Sequence, residues 1–209
     1  IPLAPRPEFS PLAREATAQV RKRLGIEDEF LLFAGTIEPR KNLVTVLKAF
    51  EEVLRTTALR PQLVIAGKSG WKQNDVLQSL EKSVFGERVK LVGYVSDADL
   101  CALYSSCRAF VYPSIYEGFG LPPLEAMACG APVIGSAVPS VTESTARVIS
   151  PADVGGLASN IVELLSDAQA REGLSAAGRK HAAKFSWEHT AALTREVYDE
   201  ALKRASHKS

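Results

Sequence analysis

The sequence predicts an α/β domain: a parallel sheet with helices on both faces. Three observations carry that expectation. Apolar runs of about strand length recur along the chain. Each is nearly continuous rather than alternating, which is how strands read when both faces of a sheet are covered. Segments of helical period separate them.

The runs are "FLLFAG" (30–35), "QLVIAG" (62–67), "RVKLVG" (88–93), "RAFVYP" (108–113) and "APVIGS" (131–136). Between the first two, Leu43, Val46, Leu47, Phe50, Val53 and Leu54 make one apolar helical face, with Asn42 before it as a candidate N-cap. Val76, Leu77 and Leu80 suggest a second helix, Leu100, Leu103 and Tyr104 a short third, and residues 121–129 a fourth. After the fifth run the chain turns helical to its end, with Ser186 as a cap before Trp187 and Glu188. A strand–helix series of this kind closes with right-handed crossovers, which place helices on both faces.

Bulk properties narrow the function classes. The chain has 209 residues, enough for one well-buried core or two small ones. A net charge of +1 gives no reason to expect nucleic acid or an anionic membrane as the main partner. No apolar run approaches the roughly 20 residues of a membrane span. Three cysteines, Cys101, Cys107 and Cys129, without a C-x-x-C, argue against a disulfide framework or thiolate zinc and read as buried thiols of a cytoplasmic protein. His181, His189 and His207 stand in helical sequence with no acid or thiol at ligand spacing, so they read as surface or boundary residues.

The residues after the strands are unlike the rest. "GTIEPRKN", "GKSGW", "GYVSDADL", "PSIYEGFGLPP" and "SAVPSVTES" follow the five runs in turn. Glycine, proline, lysine and carboxylates therefore collect at the carboxyl ends of the strands, where open α/β sheets bind ligands. Arg40 and Lys41 precede a helix start and suit a phosphate or diphosphate, although taken alone they also read as solvated charges. In "YEGFGLPPLEAMACG", Glu117 and Glu125 flank a glycine–proline turn. The glycines permit close backbone approach to a ligand, and Pro122 and Pro123 preset a first helical turn. Glu125 is expected in that turn, and a carboxylate there can accept the two hydroxyls of a sugar diol.

Other motifs fail on inspection. "GKS" has Gln62 where a P-loop needs glycine. In "GFGLPP", Pro123 stands where the third glycine of a dinucleotide fingerprint belongs. "DAD" (97–99) spells a D-x-D but follows Ser96 at a helix start, where capping is the simpler reading. No G-x-S-x-G is present.

Taken together, "GTIEPRKN", "GYVSDADLCALYSSCRAFVYPS", "EGFGLPPLEAMACGAPVI" and "FSWE" resemble the C-terminal domain of group 1 (family 4) retaining glycosyltransferases, over about residues 30–198. The resemblance implies a Rossmann-like sheet forming one half of a GT-B fold, followed by C-terminal helices. It implies that Glu125 binds ribose hydroxyls and that Glu117, the catalytic candidate, lies near the donor sugar and orients the leaving group. Gly118, Phe119, Gly120 and Leu121 match the loop on donor sugar and phosphate, Lys41 and by position Arg40 the diphosphate contacts, Gly35 the glycine after the first strand, and Val95 a base contact. A UDP-, GDP- or ADP-linked sugar is the implied partner. No cofactor or metal is implied, since basic residues and helix amides can stabilise a diphosphate leaving group.

The chain also departs from the pattern. Thr36 stands where many members have an arginine, residues 143–151 form a run shorter than expected by about three or four residues, and "SAVPS" lacks a glycine pair. Residues 1–24 resemble an interdomain linker and first helix, leaving 25–209 as the donor-binding domain. The N-terminal, acceptor-binding half is then expected to be absent, and any peripheral membrane contact would belong to it. The last helix would expose part of an apolar face including Leu193, Val197 and Leu202. Two alternatives stand beside this reading: a GT-B nucleotide-sugar epimerase, and a non-catalytic nucleotide-sugar-binding module.

Overall fold

A computed structural model describes residues 1–27, 29–68, 70 and 86–206. The expected helix around Val76, Leu77 and Leu80 lies outside the described residues, as do Ser69 and Trp71 of "GKSGW" and His207.

Six parallel strands form one sheet: β1 (Phe30–Ala34), β2 (Gln62–Ala66), β3 (Val89–Gly93), β4 (Ala109–Tyr112), β5 (Val133–Ser136) and β6 (Arg147–Ile149), in the order β3-β2-β1-β4-β5-β6. Among the described residues the α-helices are α1 (Arg14–Arg23), α2 (Leu43–Thr56), α3 (Asp97–Ser106), α4 (Leu121–Ala128), α5 (Val154–Ser166), α6 (Ala168–Ala182) and α7 (Trp187–Ser206). This is the Rossmann-like α/β architecture expected from the sequence. The central strands are buried on both sides, which is why their sequence does not alternate.

Each sheet face has its own core. On one, Leu31, Phe33, Leu63, Ile65 and Val111 meet α2 and α5 through Leu47, Phe50, Leu157 and Ile161. On the other, Phe30, Leu32, Phe110 and Tyr112 meet α3 and α4 through Leu103, Tyr104, Leu124 and Met127. The upstream segment joins this second core: Ala4 and Phe9 are buried, Phe9 lies 6.0 Å from the Tyr104 ring, and the Thr190 hydroxyl donates to the Pro2 carbonyl.

Three local features differ from, or add to, the sequence expectation. Asn42 is no side-chain cap. It takes a left-handed conformation (φ 57°), and its amide donates across the sheet edge to the carbonyls of Pro113 and Pro151. Strand β6 was not foreseen, because three residues carry no periodicity. It lies in the short run 143–151, and the Arg147 guanidinium ties it to α5 by two bonds to Glu163. Val197 and Leu202 of α7 are exposed as anticipated, and Leu193 is half-buried.

The turn after β2 is the tightest crossing of the edge. Gly67 has φ 151°, donates to the Gly93 carbonyl, and would place a Cβ 1.9 Å from the Gly35 carbonyl oxygen. Gly67→Ala is expected to cost about 2–4 kcal/mol through backbone strain and overpacking. Urea unfolding followed by circular dichroism checks this, and a loss below about 0.5 kcal/mol would contradict the close approach.

Candidate functional site

The strand order reverses between β1 and β4. β1 leads outward to β2 and β3, whereas β4 leads to β5 and β6. The loops leaving β1 and β4 therefore run to opposite faces, α2 on one and α4 on the other, and a crevice opens between them. Cross-bonds hold the two loops at a fixed spacing. The Ile115 backbone amide donates to the Arg40 carbonyl, and the Asn42 side-chain amide donates to the Pro113 carbonyl.

Lys41, Arg40 and Glu117 meet at this crevice. Lys41 is only 8% exposed, and its ammonium donates to Glu117 Oε1 at 2.7 Å and to the Tyr112 hydroxyl at 2.5 Å. Arg40 Nη1 lies 2.7 Å from Glu117 Oε2 and donates to the Tyr116 carbonyl, while its Nη2 donates to Glu38. The hydroxyls of Tyr112 and Ser114 each donate to Glu117 Oε1 at 2.7 Å. Burial by itself would raise the Glu117 carboxyl. The bonds from Lys41, Tyr112, Ser114 and Arg40 outweigh it and hold the group at about 2, so Glu117 is ionised. Burial and the Glu117 charge push the Tyr112 phenol up, which keeps it a neutral donor.

The glycine turn follows Glu117. A Cβ on Gly118 would meet nothing within 4 Å, so that position faces open space. Gly120 has φ 95°, and a Cβ there would meet Ser140 Oγ at 2.6 Å and Val138 Cγ2 at 2.7 Å. Ser140 braces the turn, donating its amide to the Phe119 carbonyl and its hydroxyl to the Gly120 carbonyl. His181 holds the Ser140 carbonyl in turn, with Nε2 at 3.0 Å, and Phe119 packs edge-on against Phe185 at 5.8 Å.

Helix α4 starts at Leu121 with Gly120 as N-cap. Two expectations need correction here. Glu125 is the fifth residue of the helix, just past the first turn in which it was expected, and is buried. Pro122 and Pro123 carry no N–H, so within the first three helical positions only Leu121 offers an amide to a ligand.

Beside the ion cluster is a cavity of about 330 Å3, lined by Gly35, Thr36, Lys68, Tyr94, Val95, Asp97 and neighbouring residues. The Lys68 ammonium lies 4.7 Å from the centre of the exposed Tyr94 ring. Gly35 links cavity and cluster, since a Cβ there would lie 3.6 Å from Lys41 Cε. Ser96 caps α3 by accepting from the Asp99 amide, which agrees with the capping reading of "SDAD". The two aspartates face arginines of the upstream segment and α1: Asp97 pairs with Arg6 and Asp99 with Arg23. Arg6 also reaches Glu125, with Nε 3.3 Å from Oε1.

The structure thus brings Arg40, Lys41 and Glu117 into contact, with Gly35 beside Lys41. Val95 stands on the cavity wall, Gly118 to Leu121 form the connecting turn, and Glu125 sits behind it. The sequence reading missed Arg6, Tyr112, Ser114, Ser140 and His181. Tyr112 and Ser114 lie in "VYPS" directly before the turn, which is a readable signal. Ser140, on the loop after β5, and His181, near the end of α6, lie far from the turn in the chain. The three cysteines are buried and free, as expected, and Cys101 Sγ lies 3.5 Å from Cys129 Sγ. No helix among the described residues is long and apolar enough to cross a membrane.

A parallel sheet with this crevice and this edge defines the chain as a Rossmann-like domain of the GT-B type. A family model described as glycosyl transferases group 1 matches residues 17–181, and the chain belongs to that family. It is 40% identical over 172 residues to O-antigen chain mannosyltransferase B of Escherichia coli, covering 81% of this chain and 45% of that protein. A Corynebacterium glutamicum protein named GDP-mannose-dependent monoacylated alpha-(1-6)-phosphatidylinositol monomannoside mannosyltransferase is 34% identical over 196 residues, covering 86% of this chain and 50% of that one. The sucrose-phosphate synthase structure from Thermosynechococcus elongatus superposes with a TM-score of 0.79 at 28% identity, covering 94% of this chain and 50% of that chain. The chain therefore spans about half the length of these relatives.

The Glu117 network makes a pH-dependent contribution with a defined sign. Its folded value lies below its ordinary 4.5, so the stabilisation is complete above that value and is lost as pH falls toward about 2. The difference in unfolding free energy between wild type and Glu117→Gln is expected to be largest above pH 5 and to shrink toward pH 2. Chemical denaturation across that range measures it, and a difference that is constant or grows on acidification would contradict the network.

Proposed function

We propose that this chain is the donor-binding half of a retaining glycosyltransferase and that the whole enzyme transfers mannose from a guanosine diphosphate donor. One observation carries the reading: two cations, Arg40 and Lys41, converge on Glu117 at the mouth of a glycine turn, beside a cavity of about 330 Å3. In this reading the donor diphosphate lies along the turn. Lys41 and Arg40, with the amides of residues 118–121, take up the charge that develops on the leaving group. Glu117 orients the donor sugar, Glu125 accepts the ribose hydroxyls, and Val95 contacts the base. No metal is assigned a role: the reading draws on Lys41, Arg40 and the turn amides, with contacts exchanged when the diphosphate binds.

The mannose assignment rests on relatives named as mannosyltransferases, and the guanosine assignment on one named as GDP-mannose-dependent. Asp97 adds chemical support for the base. It brings a carboxylate to the cavity wall, and guanine offers an N–H and an amino group to such an acceptor. Acceptor recognition is assigned to a second domain of the whole enzyme, because half of the transition-state contacts of a two-domain site lie across the cleft.

Calorimetric titration with GDP, UDP and ADP tests the reading. GDP is expected to bind in the micromolar to millimolar range and more tightly than the other two, with EDTA making no difference. Lys41→Ala and Glu125→Ala are each expected to weaken binding about tenfold or more. Affinity unchanged by both substitutions would overturn the site. This chain alone is expected to transfer sugar weakly or not at all, with transfer restored by joining it to an acceptor-binding domain; full activity of the chain alone would overturn the half-enzyme reading.

A further inference from the structure

The upstream segment places a charge at the site that the reading above does not use. Arg6 sits between Asp97 on the cavity wall and Glu125 behind the glycine turn, and bonds to both. Its seat is built rather than incidental. The guanidinium lies 4.7 Å from the centre of the Phe9 ring, and the Phe9 amide donates to the Arg6 carbonyl. Phe9 is 4% exposed and packs against Tyr104, so the turn carrying Arg6 is anchored in the core.

The geometry points to Arg6 as a positioning residue for ribose recognition: it holds Glu125 in place and favours its charged form as the acceptor of a nucleotide's ribose diol. This rests on the assignment of Glu125 to the ribose given above. The contact to Arg6 uses Glu125 Oε1 through a single guanidinium nitrogen, whereas a carboxylate has about four acceptor positions. Capacity for two hydroxyls therefore remains on the same group. The other guanidinium arm holds Asp97, so Arg6 fixes the spacing between the cavity wall and the ribose acceptor.

Electrostatics gives the contact a purpose. Glu125 is 7% exposed, and a buried carboxyl with no cation beside it would protonate and donate one of the bonds it should accept. Burial raises it, as do the neighbouring charges of Asp97 and Glu8; the Arg6 guanidinium opposes all three. Tyr104 and Cys129, which also face it, are held neutral by burial. Among the described residues, Arg6 is the cation in contact with Glu125.

The test compares GDP with 2′,3′-dideoxy-GDP by calorimetry at pH 8 and pH 5.5, for wild type, Arg6→Ala, Arg6→Gln, Arg6→Lys and Glu125→Gln, each checked for folding by thermal melting. Wild type is expected to prefer GDP by about tenfold or more. Arg6→Ala, or Arg6→Gln if the alanine variant melts early, is expected to cut that preference to less than about threefold, with the larger loss at pH 5.5. Affinity for the dideoxy nucleotide should barely move, and Arg6→Lys should restore part of the preference. If Arg6→Ala or Arg6→Gln weakens both nucleotides equally, or keeps the preference while Glu125→Gln loses it, the Arg6 role is overturned and the ribose assignment stands. If wild type binds no GDP or shows no preference for the ribose hydroxyls, the ribose assignment fails and the Arg6 role with it.

Discussion

Most of the site depends on one topological constraint, the reversal of strand order between β1 and β4. Parallel strands need long crossovers, and at the reversal neighbouring crossovers leave to opposite faces. The loops after β1 and β4 must therefore part, and the edge of the sheet stays open at that one place. Residues 35–42 and 113–120 line the gap. Without further ties such loops would move independently. Bonds from Ile115 and Asn42 across to the opposite loop convert the gap into a crevice of fixed width.

Electrostatics then determines what the crevice suits. Lys41 and Glu117 are both largely buried, and each would be costly to ionise alone. Together, with Tyr112, Ser114 and Arg40, they form a satisfied network. The arrangement has a consequence for an anionic ligand: its negative charge would meet cations that are already positioned but already paired. Binding a diphosphate there would exchange contacts rather than create them from solvent. On the other side of the turn, Arg6, Asp97 and Glu125 repeat the pattern with the charges reversed, two carboxylates about one cation.

Legibility in the sequence was uneven. The five longer strands could be read because burial on both faces demands continuous apolar runs. The Ser96 and Ser186 caps were readable, since an N-cap is a local bond to a nearby amide. The placement of Arg40, Lys41, Glu117 and the glycine turn at one edge followed from counting what comes after each strand. Asn42 stands at the N-cap position as read, but its side-chain amide serves distant carbonyls instead of a capping bond, which nothing local distinguishes. The start of α4 at Leu121 was read correctly, and counting from it puts Glu125 at the fifth position, just past the first turn in which it was expected. β6 is too short to show a period, and its hold on α5 is a contact between side chains sixteen residues apart.

The sequence by itself determined the class of fold, the edge that carries the site and the residue types gathered there. Those follow from periodicity and from the short-range chemistry of turns, both of which are local along the chain. Only the tertiary structure decided which charges pair. Lys41 meets Glu117 across 76 residues, and Arg6 meets Glu125 across 119. Such pairings depend on how the crossovers stack against the sheet, and no local pattern encodes a distance between residues that far apart. The protonation states follow from the same packing, because burial and partner together set whether a carboxylate keeps its charge.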